Sequence, residues 1–153
     1  SKHLVLIGGG HAHMTTMLNL LEFIKKGHRV TLVNASPYHY YSGMGPGLLG
    51  GLYQPQQVRF HIKKMVEDRG ASFVEGEVKR IDAARHLLYF DDGRAIQYDI
   101  ASFNTGSKVP LDSMIPPKET VIPVKPIVNL YRAGISIRRQ SAAGKLNILV
   151  SGG

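Results

Sequence analysis

The sequence predicts an α/β domain with a parallel sheet and an antiparallel β-meander. Two patterns lead to this prediction. Residues 3–34 read as a strand, an amphipathic helix and a second strand, and such a βαβ unit has a right-handed crossover and therefore parallel strands. Residues 78–98 contain three short apolar runs, and a tight-turn sequence separates the last two, which is typical of an antiparallel meander.

The βαβ unit is defined by the spacing of its apolar residues. Residues 4–7 form a continuous apolar run, which is typical of a strand buried on both faces. Apolar residues then recur with helical spacing over residues 11–26, and Gly27 is suited to end that helix. Residues 29–34 are expected to form the second strand.

The stretch from residue 35 to residue 53 is rich in glycine and tyrosine. This composition predicts a long, structured and functional loop with no regular element. A helix is expected from Pro55, a residue that suits a helical first turn, to residue 69. A third strand is expected at residues 72–75.

The meander is expected to contain strands at residues 78–81, 86–90 and 95–98. The sequence Asp91-Asp92-Gly93-Arg94 is a hairpin signal between the last two of them. Another buried strand is expected at residues 99–103.

The last third of the chain begins with a proline-rich connection that includes a short predicted strand at residues 120–122. A helix is expected at residues 127–142. Residues 146–153 then repeat the apolar run and the glycines found at the start of the chain. We therefore expect a fragment with three parts: residues 1–126 as one dinucleotide-binding domain, 127–144 as a connecting helix and 145–153 as the first strand of a second domain.

The composition restricts the classes of function. The formal net charge is +8 and the isoelectric point is near 9.8, but the basic residues are scattered pairs without interleaved aromatic residues. This distribution favours solvated helix faces over a nucleic-acid interface. The lack of cysteine excludes disulfides, thiolate metal sites and a CxxC redox pair in this segment. Because no apolar run approaches the roughly 18 residues of a membrane span, we expect a cytoplasmic protein.

The sequence Gly8-Gly9-Gly10-His11-Ala12-His13 lies between the first strand and the first helix. Against the fingerprint GxGxxG it supplies the first two glycines, Gly8 and Gly10, and has His13 in place of the third. Strand, turn, helix and second strand occur in the order of a nucleotide site, in which a pyrophosphate meets a helix N-terminus. The histidine predicts either a helix that stands off slightly or an imidazole that points out beside the site.

Asn34 ends the second strand, where an acidic residue that holds the ribose hydroxyls is expected. An amide can bond a hydroxyl without the added strength of charge. No arginine that could hold a 2′-phosphate lies within residues 35–41, which argues against NADP at this site.

The sequence indicates neither a metal site nor acid–base machinery. His11 and His13 point to different faces of a helix, and no carboxylate is close in sequence, so no metal site is predicted. No catalytic residue can be assigned, and a bound cofactor would have to carry any chemistry.

Taken together, these motifs resemble the N-terminal part of the FAD-dependent pyridine-nucleotide-disulfide oxidoreductase superfamily, in the branch of type II NADH dehydrogenases and sulfide:quinone reductases. The matching segments are residues 5–12, 30–34, 36–38, 71–78 and 98–107. The Gly-Gly-Gly-His-Ala-His variant also resembles flavoproteins found near, or fused to, selenide,water dikinase. The resemblance implies a Rossmann-like FAD-binding domain over residues 1–126 and a truncated NAD(P)-binding domain that starts at residue 145.

The resemblance also implies FAD as the cofactor and a set of residues around it. Backbone groups would face the pyrophosphate at Gly8, Gly10, His11 and Ala12. The adenosine would lie beside Asn34, Ala35 and the main chain of Val78. Two residues would close over the cofactor, Thr105 and Gly106. The loop that approaches the isoalloxazine would contain Ser42, Gly43 and Met44.

The function implied for the parent protein is hydride transfer from NAD(P)H through FAD to a quinone or small-molecule acceptor. A dithiol acceptor is disfavoured because no CxxC pair is present. The resemblance leaves peripheral membrane contact of the parent open, and the fragment alone is expected to be inactive and to self-associate or stay mobile at its C-terminal segment. The alternative is a non-catalytic module that binds an adenine nucleotide, which His13 and Asn34 favour modestly.

Overall fold

The computed structural model describes residues 1–111 and 121–152. Two compact units divide the chain. We call the first the sheet unit, which contains Ser1–His39 and Phe60–Gly106. The second is the helical unit, which contains Tyr40–Arg59 and Ser107–Gly153.

The strands and helices are numbered in chain order. The strands are β1 (His3–Ile7), β2 (Arg29–Asn34), β3 (His39–Tyr40), β4 (Arg59–Phe60), β5 (Ser72–Glu75), β6 (Val78–Asp82), β7 (Leu87–Phe90), β8 (Ala95–Gln97) and β9 (Ile100–Phe103). The α-helices are α1 (His11–Leu18), α2 (Leu20–Lys25), α3 (Gly45–Gly50), α4 (Ile62–Glu67) and α5 (Val128–Ala143).

The sheet unit is built on a four-stranded parallel sheet in the order β5-β2-β1-β9. A separate antiparallel sheet has the order β6-β7-β8. The predicted fold class, a parallel sheet with an antiparallel meander, is confirmed.

Apolar residues fill both faces of the parallel sheet. On one face, Leu6 and Leu32 pack with residues of α1, α2 and α4, among them Met17 and Ile62. On the other face, residues of β1 and β2 pack with the meander, where Leu88 is fully buried. Because β1 and β2 are covered on both sides, successive residues along them are apolar, which explains the continuous runs in the sequence.

The helix predicted over residues 11–26 is divided into α1 and α2 at Asn19. The Asn19 N–H bonds to the carbonyl oxygens of Thr15 and Thr16, and its side-chain amide donates to the Thr15 oxygen at 2.8 Å. Asparagine competes in this way with regular helical bonding, which is why the helix is interrupted here.

Two predictions between residues 35 and 69 are wrong. The glycine-rich loop contains a 3-10 turn at Ser42–Met44 and the helix α3, which Pro46 helps to start. Pro55 begins a 3-10 turn, not the predicted long helix, and β4 follows before α4 starts at Ile62. His61 caps α4, since its Nδ1 accepts the Lys64 N–H at 3.2 Å.

Strand β9 lies at one end of the parallel sheet, and the expectation that it is fully buried is wrong. Ile100 is 57% exposed and Phe103 is 48% exposed. An end strand has a neighbour on one side only, so its side chains are covered less completely than those of β1.

The helical unit is organised by the packing of α3 on α5. The two helices approach closely at Gly134, where a Cβ atom would lie 2.2 Å from the Leu49 carbonyl oxygen. The Arg138 guanidinium donates to the same oxygen at 3.1 Å. The predicted C-terminal helix is thus confirmed, with bounds within a residue of those expected.

Two predicted strands in this unit differ from the structure. Residues 145–152 form no strand and pair with no strand of the described ranges, and Leu149 and Val150 are 93% and 84% exposed. The strand expected at 120–122 lies partly outside the described residues, and residues 121 and 122 have no regular structure. In the described ranges, no helix is long and apolar enough to cross a membrane.

Candidate functional site

The candidate site lies at the carboxyl ends of three neighbouring parallel strands. In the order β2-β1-β9, β2 ends at Asn34, β1 leads into Gly8-Gly9-Gly10, and β9 is followed by Asn104. Ligands of open α/β sheets bind at such carboxyl ends. The sheet therefore brings the predicted glycine turn, the predicted ribose residue and the segment after β9 together in one unit.

A close contact with backbone requires glycine at position 8, whereas an added Cβ at Gly9 or Gly10 would meet the end of a side chain. Gly8 has φ +89°, and a Cβ atom there would lie 2.1 Å from the Asn104 carbonyl oxygen. A Cβ atom at Gly9 would lie 2.3 Å from the Ile62 Cδ1, and one at Gly10 would lie 2.6 Å from the Asn104 side-chain amide. At Gly8 the turn therefore has room for backbone alone, and at Gly9 and Gly10 a side chain would have to displace Ile62 or Asn104.

Asn34 uses both ends of its side-chain amide. Its Oδ1 accepts the Gly9 N–H at 2.8 Å, and its Nδ2 donates to the Ser36 carbonyl oxygen at 2.7 Å. Because one partner only donates and the other only accepts, the network fixes which amide atom is oxygen. Asn34 thus ties the glycine turn to the first residues after β2, and Ala35 beside it is exposed.

The imidazole of His13 points inward, so of the two alternatives predicted for this residue the one in which the ring points out beside the site is wrong. His13 is 5% exposed, with its Nδ1 2.7 Å from the Gly8 oxygen and its Nε2 2.9 Å from the Ser102 Oγ. A carbonyl oxygen only accepts, so Nδ1 carries the hydrogen and Nε2 accepts the Ser102 hydroxyl. These two bonds hold the ring between the turn and β9.

The side-chain amide nitrogen of Asn104, Nδ2, is a buried donor that makes no hydrogen bond within the described residues, 1–111 and 121–152. Leaving such a group unpaired costs roughly 1–3 kcal/mol, which an acceptor on a ligand would recover. The atom lies beside Gly10, the N-cap of α1, where the described residues provide no side-chain cap. The Asn104 amide and the N-terminus of α1 therefore provide donors that fit the phosphates or sugar of a nucleotide.

His11 and Ala12 are the first two residues of α1, and both are exposed. Burial lowers the pKa of His39, and the positive charge of His11 lowers it further. The two histidines thus interact electrostatically. Over the described part of the chain, no group of three or more His, Asp or Glu side chains is placed to hold a metal ion.

The remaining predicted residues fall in both units. Thr105 and Gly106 follow β9 in the sheet unit and are exposed. Val78 begins β6 and packs against the apolar cluster on the meander side. The other three residues, Ser42, Gly43 and Met44, form one 3-10 turn in the helical unit.

Three further residues belong to this site although no sequence motif predicted them: Gly9, Ser102 and Asn104. Gly9 occupies a position that the fingerprint leaves unspecified. Ser102 and Asn104 belong to the segment at the end of β9, and that strand is adjacent to β1. The signal that could have identified them is the rule that carboxyl ends of neighbouring parallel strands meet at one edge of a sheet.

Comparison with family models gives no match. Among curated proteins, the chain is 25% identical to the sulfide-quinone reductase of Aquifex aeolicus (strain VF5) over 109 residues, which cover 71% of this chain and 25% of that protein. It is 24% identical over 118 residues to the mitochondrial sulfide:quinone oxidoreductase of Dictyostelium discoideum, covering 77% of this chain and 26% of that protein. The chain spans about a quarter of the length of these relatives.

Solved structures agree in fold. The sulfide:quinone oxidoreductase of Aquifex aeolicus superposes with a TM-score of 0.81 at 20% identity, covering 93% of this chain and 33% of that one. NDH2 from Plasmodium falciparum in complex with NADH superposes with a TM-score of 0.70 at 15% identity, covering 92% and 30%. The predicted resemblance of this chain to sulfide:quinone reductases is therefore confirmed in sequence, and the chain shares its fold with a solved sulfide:quinone oxidoreductase and with NDH2.

Proposed function

We propose that this chain is the FAD-binding part of a flavoprotein oxidoreductase. The observation that carries the proposal is the glycine turn at the carboxyl end of β1, packed so tightly that a Cβ atom at Gly8 would collide with Asn104. The unpaired Asn104 amide beside Gly10 supports it, because a nucleotide brings acceptor oxygens to that place.

The residues assigned to FAD act by binding and orienting it. The N–H groups at Gly10, His11 and Ala12 would hold the pyrophosphate, which the helix dipole of α1 favours. Gly8 differs from the prediction, because its N–H bonds to the Val33 carbonyl oxygen at 2.8 Å and its own carbonyl oxygen bonds to His13, so Gly8 would contribute only the close approach of the backbone. Asn34 and Ala35 would border the ribose. The main chain of Val78 would border the adenine, and Thr105 and Gly106 would close over the cofactor. The residues proposed to approach the isoalloxazine are Ser42, Gly43 and Met44.

FAD, when bound, supplies the two-electron redox chemistry that amino-acid side chains lack. For the whole protein we propose that electrons pass from NAD(P)H to a quinone or a small-molecule acceptor. The names of the two curated relatives favour a quinone, and the NADH complex of the solved NDH2 favours a nicotinamide donor. For the whole protein we propose a cytoplasmic location, with peripheral contact to the membrane if the acceptor is a quinone.

The decisive experiment is flavin binding by the purified chain. Apoprotein titrated with FAD is expected to show quenched flavin fluorescence, and denaturation is expected to release intact FAD. In the protein extended to the length of its relatives, NADH is expected to bleach the flavin absorbance. An extended protein that never takes up FAD would overturn the proposal. ADP or AMP that competes as well as FAD, with no bleaching, would favour the non-catalytic adenine-nucleotide module.

A further inference from the structure

The two departures from the nucleotide-binding fingerprint contact the same peptide group. His13, which replaces the third glycine, places its Nδ1 2.7 Å from the Gly8 oxygen. Asn34, which replaces the acidic residue, places its Oδ1 2.8 Å from the Gly9 nitrogen. The Gly8 C=O and the Gly9 N–H are the two polar ends of a single planar unit. Both unusual residues therefore act on one element of the turn.

The two contacts hold that peptide from opposite sides. In a trans peptide the C=O and the N–H point in opposite directions, so rotation of the plane breaks both bonds at once. Glycines flank the peptide, and their wide conformational range would otherwise leave its orientation poorly fixed. Each holding side chain is itself fixed by a second bond, His13 by Ser102 and Asn34 by the Ser36 carbonyl.

The chemistry of the second bonds explains why the fingerprint residues would serve less well here. An aspartate at position 34 could accept the Gly9 N–H but could not donate to the Ser36 carbonyl oxygen. One carboxylate oxygen would instead face that carbonyl oxygen, in place of the Asn34 Nδ2 that now donates to it at 2.7 Å, and two acceptors repel each other. A glycine at position 13 would leave the Gly8 oxygen and the buried side of Ser102 without these bonds.

We propose that His13 and Asn34 are the paired positioning residues of the nucleotide site, and that they work by locking the Gly8–Gly9 peptide. The effect on nucleotide affinity rests on the proposed function. Because the Gly9 N–H is committed to Asn34, the phosphate-binding donors come from the backbone that follows it at the start of α1. Restoring either fingerprint residue is therefore expected to weaken nucleotide binding.

A first test needs no ligand. Nitrogen-15 NMR of the histidine rings is expected to show His13 with its hydrogen on Nδ1 and with Nε2 accepting a hydrogen bond. The Gly9 amide is expected to exchange with solvent more slowly than in the unfolded chain. A His13 ring with the hydrogen on Nε2, or a Gly9 amide that exchanges at the unfolded rate, would overturn the lock.

The second test measures the affinity for ADP, with the fold of each variant checked by thermal unfolding. His13→Leu, which fills space without hydrogen bonds, is expected to weaken ADP binding about tenfold, the equivalent of one lost hydrogen bond. His13→Asn, whose amide can donate to the Gly8 oxygen, is expected to restore most of this loss. A purely space-filling role for His13 would give the opposite order of these two variants.

Asn34→Asp is expected to weaken ADP binding by a similar factor. The matched control is Asn19→Asp, the same chemical change at an exposed residue whose side-chain amide donates to the Thr15 oxygen at the other end of α1. Tighter binding in Asn34→Asp would show that residue 34 contacts ribose and is not a lock. If the protein extended to the length of its relatives binds neither ADP nor FAD, the proposed function fails, while ring tautomer and amide exchange still decide whether the lock exists.

Discussion

The Nε2 atom of His3 lies 2.8 Å from the hydroxyl oxygen of Thr31, and this buried contact joins β1 to β2 inside the sheet unit. The His3 Nδ1 lies 2.8 Å from the Gln97 carbonyl oxygen. Because that oxygen can only accept, Nδ1 carries the hydrogen and Nε2 accepts the Thr31 hydroxyl. Both bonds are satisfied by a neutral imidazole, and protonation would remove the acceptor that Thr31 uses.

The free energy of unfolding is expected to decrease as the pH falls below about 6.5, the ordinary histidine pKa. Burial lowers the pKa of His3, the charge of Arg29 lowers it further, and the Gln97 carbonyl and Asp99 oppose the shift in part. With a depressed folded-state pKa, the unfolded chain binds the proton more readily. The stability contribution is therefore complete above the ordinary pKa and is lost as the pH falls through the folded-state value.

Urea unfolding at a series of pH values measures this effect. His3→Gln is expected to flatten the dependence, and the part that remains is assigned to His39, whose pKa is also lowered. A slope between pH 7 and pH 5 that is the same with and without His3 would contradict the assignment.

Gly134→Ala is expected to destabilise the helical unit even though alanine is the better helix former. The added Cβ would lie 2.2 Å from the Leu49 backbone oxygen, so α3 and α5 must move apart at a cost of about 1–3 kcal/mol. Gly50→Ala is the matched control, since Gly50 is also helical and its Cβ would meet no atom of the described residues within 4 Å. That variant should gain up to about 1 kcal/mol. A midpoint temperature of thermal unfolding that shifts in the same direction for both variants would refute the close packing.

Gly8→Ala is expected to destabilise the sheet unit by at least about 2 kcal/mol. A positive φ alone costs an alanine about 1–2 kcal/mol, and the collision with the Asn104 oxygen adds to it. Gly27→Ala separates the two effects, because Gly27 has φ +79° and its Cβ would have free space. Denaturant titrations should place the Gly27 variant between the unaltered chain and the Gly8 variant. Equal losses would mean that the turn has room for a side chain.

Removal of residues 145–153 is expected to change the free energy of unfolding by no more than about 0.5 kcal/mol relative to the unaltered chain. The reason is that residues 145–152 have no regular structure and that apolar side chains among them are exposed. Any self-association is expected to decrease, since exposed apolar residues such as Leu149 favour pairing with another chain. Sedimentation of the two forms at equal concentration measures this. Unfolding of the shortened chain would place the segment in the core and the predicted domain boundary elsewhere.

Much of the fold could be predicted from local sequence. The apolar runs of β1 and β2, the hairpin sequence at Gly93 and the spacing of α5 are signals that each segment carries by itself. The failures lie where a local signal has two solutions. Pro55 suits the first position of a 3-10 helix as well as that of an α-helix. Asn19 ends α1 although the helical spacing of apolar residues continues beyond it.

The candidate site divides in the same way. Local sequence is enough to identify the glycine turn, its place between a strand and a helix, and the two residues that depart from the fingerprint. The roles of those two residues depend on contacts between distant parts of the chain. The partner of His13 on β9 lies 89 positions away, and the amide that Asn34 holds lies 25 positions away. Periodicity and turn composition describe how a segment folds on itself, whereas these bonds form because strand order places the ends of β2, β1 and β9 side by side.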